Sequence, residues 1–283
     1  MCYERGSTKP RSSLMQIRKG MLWFGLIGTL LIGIRHLLPG EAASGGAFDA
    51  FCPFGAIETF WAYLTRGETL KTTNLLNFAV FSGVLGVSLV AGRAFCGWMC
   101  PVGAVQEWLA GLARRLGGEK RHVRGKLFKA RLPIQLPLRA DRPLRYAKYM
   151  ILGLILLASA AAIYPPLFPF CPARAVFSFK LTTGLLWSVL ITFIASSLLV
   201  ERVWCKYLCP LGAALAIFNK LSPVRLRADF KACNHCGRCD IECSMGIKDV
   251  PDNLSDTECI RCLECLETCT RDDALVIKVG DIR

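Results

Sequence analysis

The chain has 283 residues, 53% of them hydrophobic, with a mean hydropathy of +0.40 and a net charge of +14. So apolar a composition excludes an ordinary soluble domain, and basic residues that flank apolar runs mark membrane topology rather than a nucleic-acid surface. The 15 cysteines are mostly grouped in metal-ligand spacing, which excludes a disulfide-stapled secreted miniprotein.

Residues 1–20 are polar and basic, with Arg5, Lys9, Arg11, Arg18 and Lys19 against Glu4 alone. They read as a cytoplasmic tail. Met21–Leu38 is then nearly all apolar. A signal peptide cleaved near Ala42-Ala43-Ser44 has the same outline. The length of the run and its place in a repeat favour a retained membrane helix. Three further spans follow near Leu75–Gly92, Tyr149–Leu167 and Leu181–Val200, each close to the roughly 20 residues that cross a hydrocarbon core. Pro165-Pro166 gives the third a natural stop.

Lys and Arg between the spans set the orientation. Segment 93–148 carries thirteen, whereas 39–74 and 168–180 carry two each. Both termini and the long loop therefore face the cytoplasm, in a bacterial-type inner membrane. The basic stretch 109–148, broken by Pro133, Pro137 and Pro143, suits anionic headgroups or an acidic redox partner. His122 within it reads as solvated.

The membrane part, 21–220, is duplicated as repeats near 21–108 and 149–216. Phe51-Cys52-Pro53-x2-Ala56-x3-Phe60 matches Phe170-Cys171-Pro172-x2-Ala175-x3-Phe179. Phe95-Cys96-x3-Cys100-Pro101-x-Gly103-Ala104 matches Trp204-Cys205-x3-Cys209-Pro210-x-Gly212-Ala213. Each half runs in–out–in, and an axis along the membrane normal relates the halves. If helical, each C-x3-C pair turns both sulfurs to one face. Pseudo-symmetry would then gather Cys96, Cys100, Cys205 and Cys209 at the cytoplasmic edge, as a third metal site or as redox dithiols. Plain packing of small thiols is the bland alternative. On the outer side Cys52 and Cys171 form a second symmetric pair, suited to a disulfide or a shared site.

Segment 221–283 holds two C-x2-C-x2-C-x3-C runs, from Cys233 and from Cys259. In a two-cluster ferredoxin the fourth cysteine of each run ligates the other run's cubane. Cys233, Cys236, Cys239 and Cys269 then hold one [4Fe-4S] cluster, and Cys259, Cys262, Cys265 and Cys243 the second. Zinc sites take ligands in pairs rather than runs of four. Ser244 and Thr270 stand where such runs usually carry Pro. His235 reads as a loop residue, because four cysteines already serve each cluster.

These motifs resemble the NapH-type ferredoxin membrane proteins, quinol dehydrogenases associated with periplasmic nitrate reductase, and the membrane module of NosR-type regulators. The resemblance runs from about Met21 to the end. It implies four transmembrane helices carrying a small cytoplasmic α+β two-cluster ferredoxin domain, with electrons exchanged between the quinone pool and a redox partner protein. It does not imply nitrate as the final substrate.

Weaker signals concern the quinone. Arg35 and His36 near the outer end of the first span, and Glu58 in the outer loop, are candidates to meet its headgroup or relay protons. Snorkelling to the interface accounts for the first two equally well. Ile57, Phe60, Trp61 and Leu64 at helical spacing predict an interfacial helix over Gly55–Leu64. Two functions remain from different classes: a quinone-linked electron-transfer subunit, and a redox sensor or metal-centre assembly factor using the same thiols. Nucleic acid is not an expected partner. Spans with few polar groups argue against solute transport.

Overall fold

A computed structural model describes residues 9–35, 53–67, 75–116, 133–134, 136–161, 170–177, 184–271 and 274–280. Helix α1 runs Lys9–Arg35, starting well before the apolar run. The chain therefore does not change structure at residue 20: the helix carries the basic Arg18 into the protein. Helix α2 is Pro53–Arg66, α3 is Leu75–Ala91, α4 is Ala94–Trp98 and α5 is Pro101–Leu116. After the loop come α6 (Leu138–Arg145), α7 (Ala147–Ala160), α8 (Pro172–Phe177) and α9 (Gly184–Leu199). A π-helical turn over Trp204–Leu208 leads into α10 (Pro210–Ala216) and α11 (Phe218–Leu221). Among the described residues only α1 contains a segment, Ser13–Ile34, long and apolar enough to cross a membrane. The helices at the other three expected spans have 17, 14 and 16 residues.

The two halves read in the sequence pack against each other. Helix α2 of the first half lies against α7, the leading helix of the second, while α8 lies against α1. Likewise α5 packs on α9, and α11 packs on α3. Each half is thus completed by the other. The surfaces are inverted relative to a water-soluble bundle. Phe24, Leu31, Val90, Leu154, Leu157 and Ile191 are exposed, while Ser88, Ser159 and Ser197 are buried.

The tail is a small α+β unit. Strand β1 (Val224–Ala228) pairs antiparallel with β2 (Leu275–Val279), with Leu226 opposite Ile277. Between them lie α12 (Arg238–Glu242) and α13 (Glu264–Thr268), packed on each other. The tail is not a tethered appendage. Met245, Ile247, Val250 and Ile260 share one buried apolar cluster with Val84, Cys96 and Leu215 of the helices. Some 25 cal/mol stabilises each Å² of apolar surface so removed from water.

Candidate iron–sulfur sites

The two cysteine runs of the tail adopt one backbone. The residue before each second cysteine, His235 or Arg261, has φ of 48° or 51°, and the residue after it, Gly237 or Leu263, has 69° or 63°. Left-handed φ in three non-glycine residues is strained backbone, which persists where the surroundings require it. Consecutive turns of this kind aim backbone N–H groups inward, as an anionic cluster requires. Cys259 faces the Arg261 N–H, Cys265 that of Leu266, and Cys243 those of Met245 and Ile247. Cys243 comes from the first run, yet it acts electrostatically on Cys259, Cys262 and Cys265. Cys243 thus lies within electrostatic reach of all three, the proximity that a fourth-cysteine exchange would need. For the other set Cys236 acts on Cys239, whose thiol is pushed up to about 11 by burial and by Asp240.

The C-x3-C-P pairs are built differently from the expectation of one helical face. Cys96 sits in α4 and Cys100 precedes α5; Cys205 sits in the π-helical turn and Cys209 precedes α10. In both halves the second cysteine's N–H reaches back five residues, to Phe95 O at 3.1 Å and to Trp204 O at 2.9 Å. Proline accounts for this widening: the residue before it is disfavoured in the α conformation, so Cys209 is extended, ends the π-helical turn and caps α10, and Cys100 stands between α4 and α5. Cys209 Sγ accepts the Gly212 N–H at 3.4 Å, and Cys100 faces the N–H groups of Val102 and Gly103.

The four thiols of the two C-x3-C-P turns lie within electrostatic reach of one another. Cys96 and Cys205 act on Cys100, and Cys205, Cys96 and Cys100 act on Cys209. Burial, then the neighbouring sulfurs, push Cys100 up to about 12. Gln106 Nε2 donates to Cys205 Sγ at 3.2 Å. Among the described residues no three Cys, His, Asp or Glu side chains converge tightly enough for a single ion. A tetrahedral ion with sulfur bonds near 2.3 Å would draw its sulfurs to about 3.8 Å of one another. At the helix ends Cys100 and Cys209 face backbone N–H groups, and in the tail Cys243, Cys259 and Cys265 do, an arrangement that an anionic iron–sulfur cluster would use.

The two regions touch. A Cβ on Gly97 would stand 2.5 Å from Ile260 O and 3.5 Å from the Cys262 Cα, so only glycine admits this approach. Trp98 Nε1 donates to Arg261 O at 2.8 Å. Asn219, from α11, accepts the Arg93 N–H at 2.8 Å and donates to Thr257 O and Cys259 O at 2.9 and 2.7 Å. Buried ion pairs complete the junction. Glu258 takes Arg93 at 3.1 Å and also Lys148; Glu107 takes Arg18 and Arg202, each at 2.5 Å; and Arg18 reaches Glu264 at 3.2 Å. Burial by itself would raise the Glu107 and Glu258 carboxyls, but the adjoining cations outweigh it and hold both below their usual range.

Reading the sequence for chemistry missed Arg18, Arg93, Lys148, Arg202 and Asn219. For the arginines a signal existed: Arg93 and Arg202 stand three residues before the first cysteine of each repeat. The quinone candidates fare unevenly. Glu58 is buried on α2, Arg35 is the last residue of α1, and His36 lies outside the described residues. Cys171 stands just before α8, half-buried, and Cys52 lies outside the described residues.

Comparison with known proteins agrees with this geometry. A 4Fe-4S binding domain family, Fer4_5, matches residues 73–119 and 182–228. Both matches fall on the C-x3-C-P halves rather than on the tail. The ferredoxin-type protein NapH of Haemophilus influenzae is 30% identical over 224 residues, covering 73% of this chain and 71% of NapH. The chain belongs to the NapH-type family of ferredoxin-type proteins. The putative electron transport protein YccM of Escherichia coli is 30% identical over 239 residues, 80% of this chain and 62% of YccM. An uncharacterized protein of Methanocaldococcus jannaschii is 32% identical over 223 residues, 78% of this chain and 84% of its own. No solved structure matches. Within this family the chain is an iron–sulfur protein of electron transfer.

Proposed function

We propose that the chain spans the membrane four times and passes electrons between the quinone pool and a redox partner. Its carriers would be two [4Fe-4S] clusters in the tail and a third iron–sulfur centre at Cys96, Cys100, Cys205 and Cys209. When bound, such clusters supply one-electron carriers, so a quinol giving two electrons and two protons can be matched to single-electron steps. What the polypeptide would do is place them. Cys262 lies against the helix ends, so the cluster that Cys259, Cys262, Cys265 and Cys243 would hold is the one the proposal sets next to the third centre. The observation that carries this reading is the backbone contact of Cys262 with Gly97, one residue from Cys96.

The membrane part of the reading is supported by the outward-facing apolar side chains of α1, α3, α7 and α9 and by the basic count of loop 93–148. Burial of Cys96 and Cys205 disfavours the sensor and assembly readings, which need accessible thiols. Protein prepared anaerobically from membranes should hold more than about eight iron atoms per chain, eight being the share of two tail cubanes. Its clusters should be reduced by quinol, and this should be abolished by Cys262→Ala. Intact clusters that no quinol reduces, at any poise, would refute the quinone link. Iron of about four per chain or less would refute the carriers.

A further inference from the structure

Matched from their cysteines, the two halves agree further than the cysteines: each carries Arg-x2-Cys-x3-Cys-Pro-x-Gly. In the fold the arginines change places. Arg202 Nη1 donates to Cys96 O at 3.2 Å and would lie 3.2 Å from a Cβ on Gly103. Arg93 Nη2 would lie 2.9 Å from a Cβ on Gly212, beside the Cys209 Cβ at 3.6 Å. Each half thus sends its arginine onto the other half's cysteine turn, and the glycine of the motif leaves the room.

Both side chains are fully buried, at 0% exposure. Among the described residues Arg93 Nε, Arg93 Nη2 and Arg202 Nε have no hydrogen-bond acceptor. Beyond Glu258, Arg93 lies within electrostatic reach of Cys96 of its own half and Cys209 of the other, and beyond Glu107, Arg202 lies within reach of Cys205 of its own half, Cys262 and Glu264. Twice at this junction two buried cations share one carboxylate, Arg93 and Lys148 at Glu258, Arg202 and Arg18 at Glu107. Among the described residues only Arg18 has a second carboxylate in contact, Glu264, so these four cations face three carboxylates there. Buried charge left uncompensated is strongly destabilising.

We infer that Arg93 and Arg202 are positioning residues that hold the four-thiol centre at the helix ends as an anionic metal–thiolate centre and set its potential. This rests on the reading of Cys96, Cys100, Cys205 and Cys209 as ligands. Four thiolates around a cluster core of charge +2 leave a dianion, whereas free thiols or two disulfides are neutral and leave the arginines unbalanced. A cation beside the centre favours the more negative, reduced state, so removing it lowers the potential.

The experiment uses the full chain, purified anaerobically into lipid nanodiscs, with iron counted and each centre titrated by EPR. The third centre is defined by the iron and signal lost in Cys100→Ser/Cys209→Ser. If that variant loses neither, the ligand reading fails and the inference with it. Given the signal, Arg202→Gln should shift its midpoint negative and speed loss of its iron to a chelator about tenfold or more, with the tail signals unchanged. Arg202→Lys should recover part of the shift. Gly103→Ala, which displaces the Arg202 guanidinium without removing charge, should act in the same direction more weakly. Arg93→Gln should match Arg202→Gln on the third centre. The inference is overturned if Arg202→Gln leaves midpoint and iron retention as in wild type. It is equally overturned if all three centres are lost in parallel, the sign of a merely structural role.

Discussion

Replacing Glu258 with Gln keeps the side chain's shape and removes the one carboxylate that Arg93 and Lys148 share. Arg93 Nη1 meets it at 3.1 Å and Lys148 Nζ contacts both oxygens; the two cations are 0% exposed and the carboxylate 7%. Breaking a buried pair from one side costs about 3–5 kcal/mol, because the remaining charge has neither water nor partner. Arg93 keeps its bond to Thr257 O at 3.1 Å, and Asn219 still ties 256–259 to α11, so the tail stays attached through other contacts. We therefore take the lower bound, about 3 kcal/mol, which at 1.4 kcal/mol per decade raises the open fraction of the junction about 100-fold. Hydrogen exchange on peptides across 255–262, in nanodiscs without oxygen, reads that fraction. Iron per chain, counted in the same samples, should not change. A rise of less than about threefold would mean the pair behaves as an exposed one and would refute the argument from burial.

Two further outcomes follow from the junction and the tail. Cys243→Ser should remove the same EPR species as Cys262→Ser, although they belong to different runs, and Cys269→Ser should remove the species lost in Cys236→Ser. Loss of run-matched species instead would overturn the ligand exchange. Glu107 gives a pH dependence with a definite sign. Arg202 and Arg18 hold its folded pKa below the usual 4.5, so its stabilisation is complete above that value and is lost as pH falls from 4.5 through the folded value. Melting temperatures measured across that window should fall less steeply in Glu107→Gln than in wild type; identical slopes would contradict the assignment.

Much of this was legible in the residues. The C-x2-C-x2-C-x3-C spacing is local chemistry, so eight candidate ligands could be read from it, and the fold brings Cys243 within electrostatic reach of the second run. The helix ends were harder. An i,i+4 pair reads as one helical face, but each proline breaks that face, and the sulfurs are gathered by a turn closed five residues back. The buried ions were illegible for another reason. Arg18, Arg93, Lys148 and Arg202 are basic residues near apolar runs, which composition assigns to the membrane flank, whereas their carboxylates lie as far as 246 residues away.

From sequence alone came what repeats or recurs at short range: the apolar runs, the duplicated halves, and the thiol spacing that selects iron–sulfur clusters. Tertiary structure decided what depends on residues distant in the chain. It set the tail against the helix ends through Gly97 and Cys262, and it crossed each half's arginine onto the other half's cysteines. The physical reason is that hydrophobic pattern and ligand spacing act between neighbours, whereas compensating a buried charge needs a partner that only the packed chain can bring.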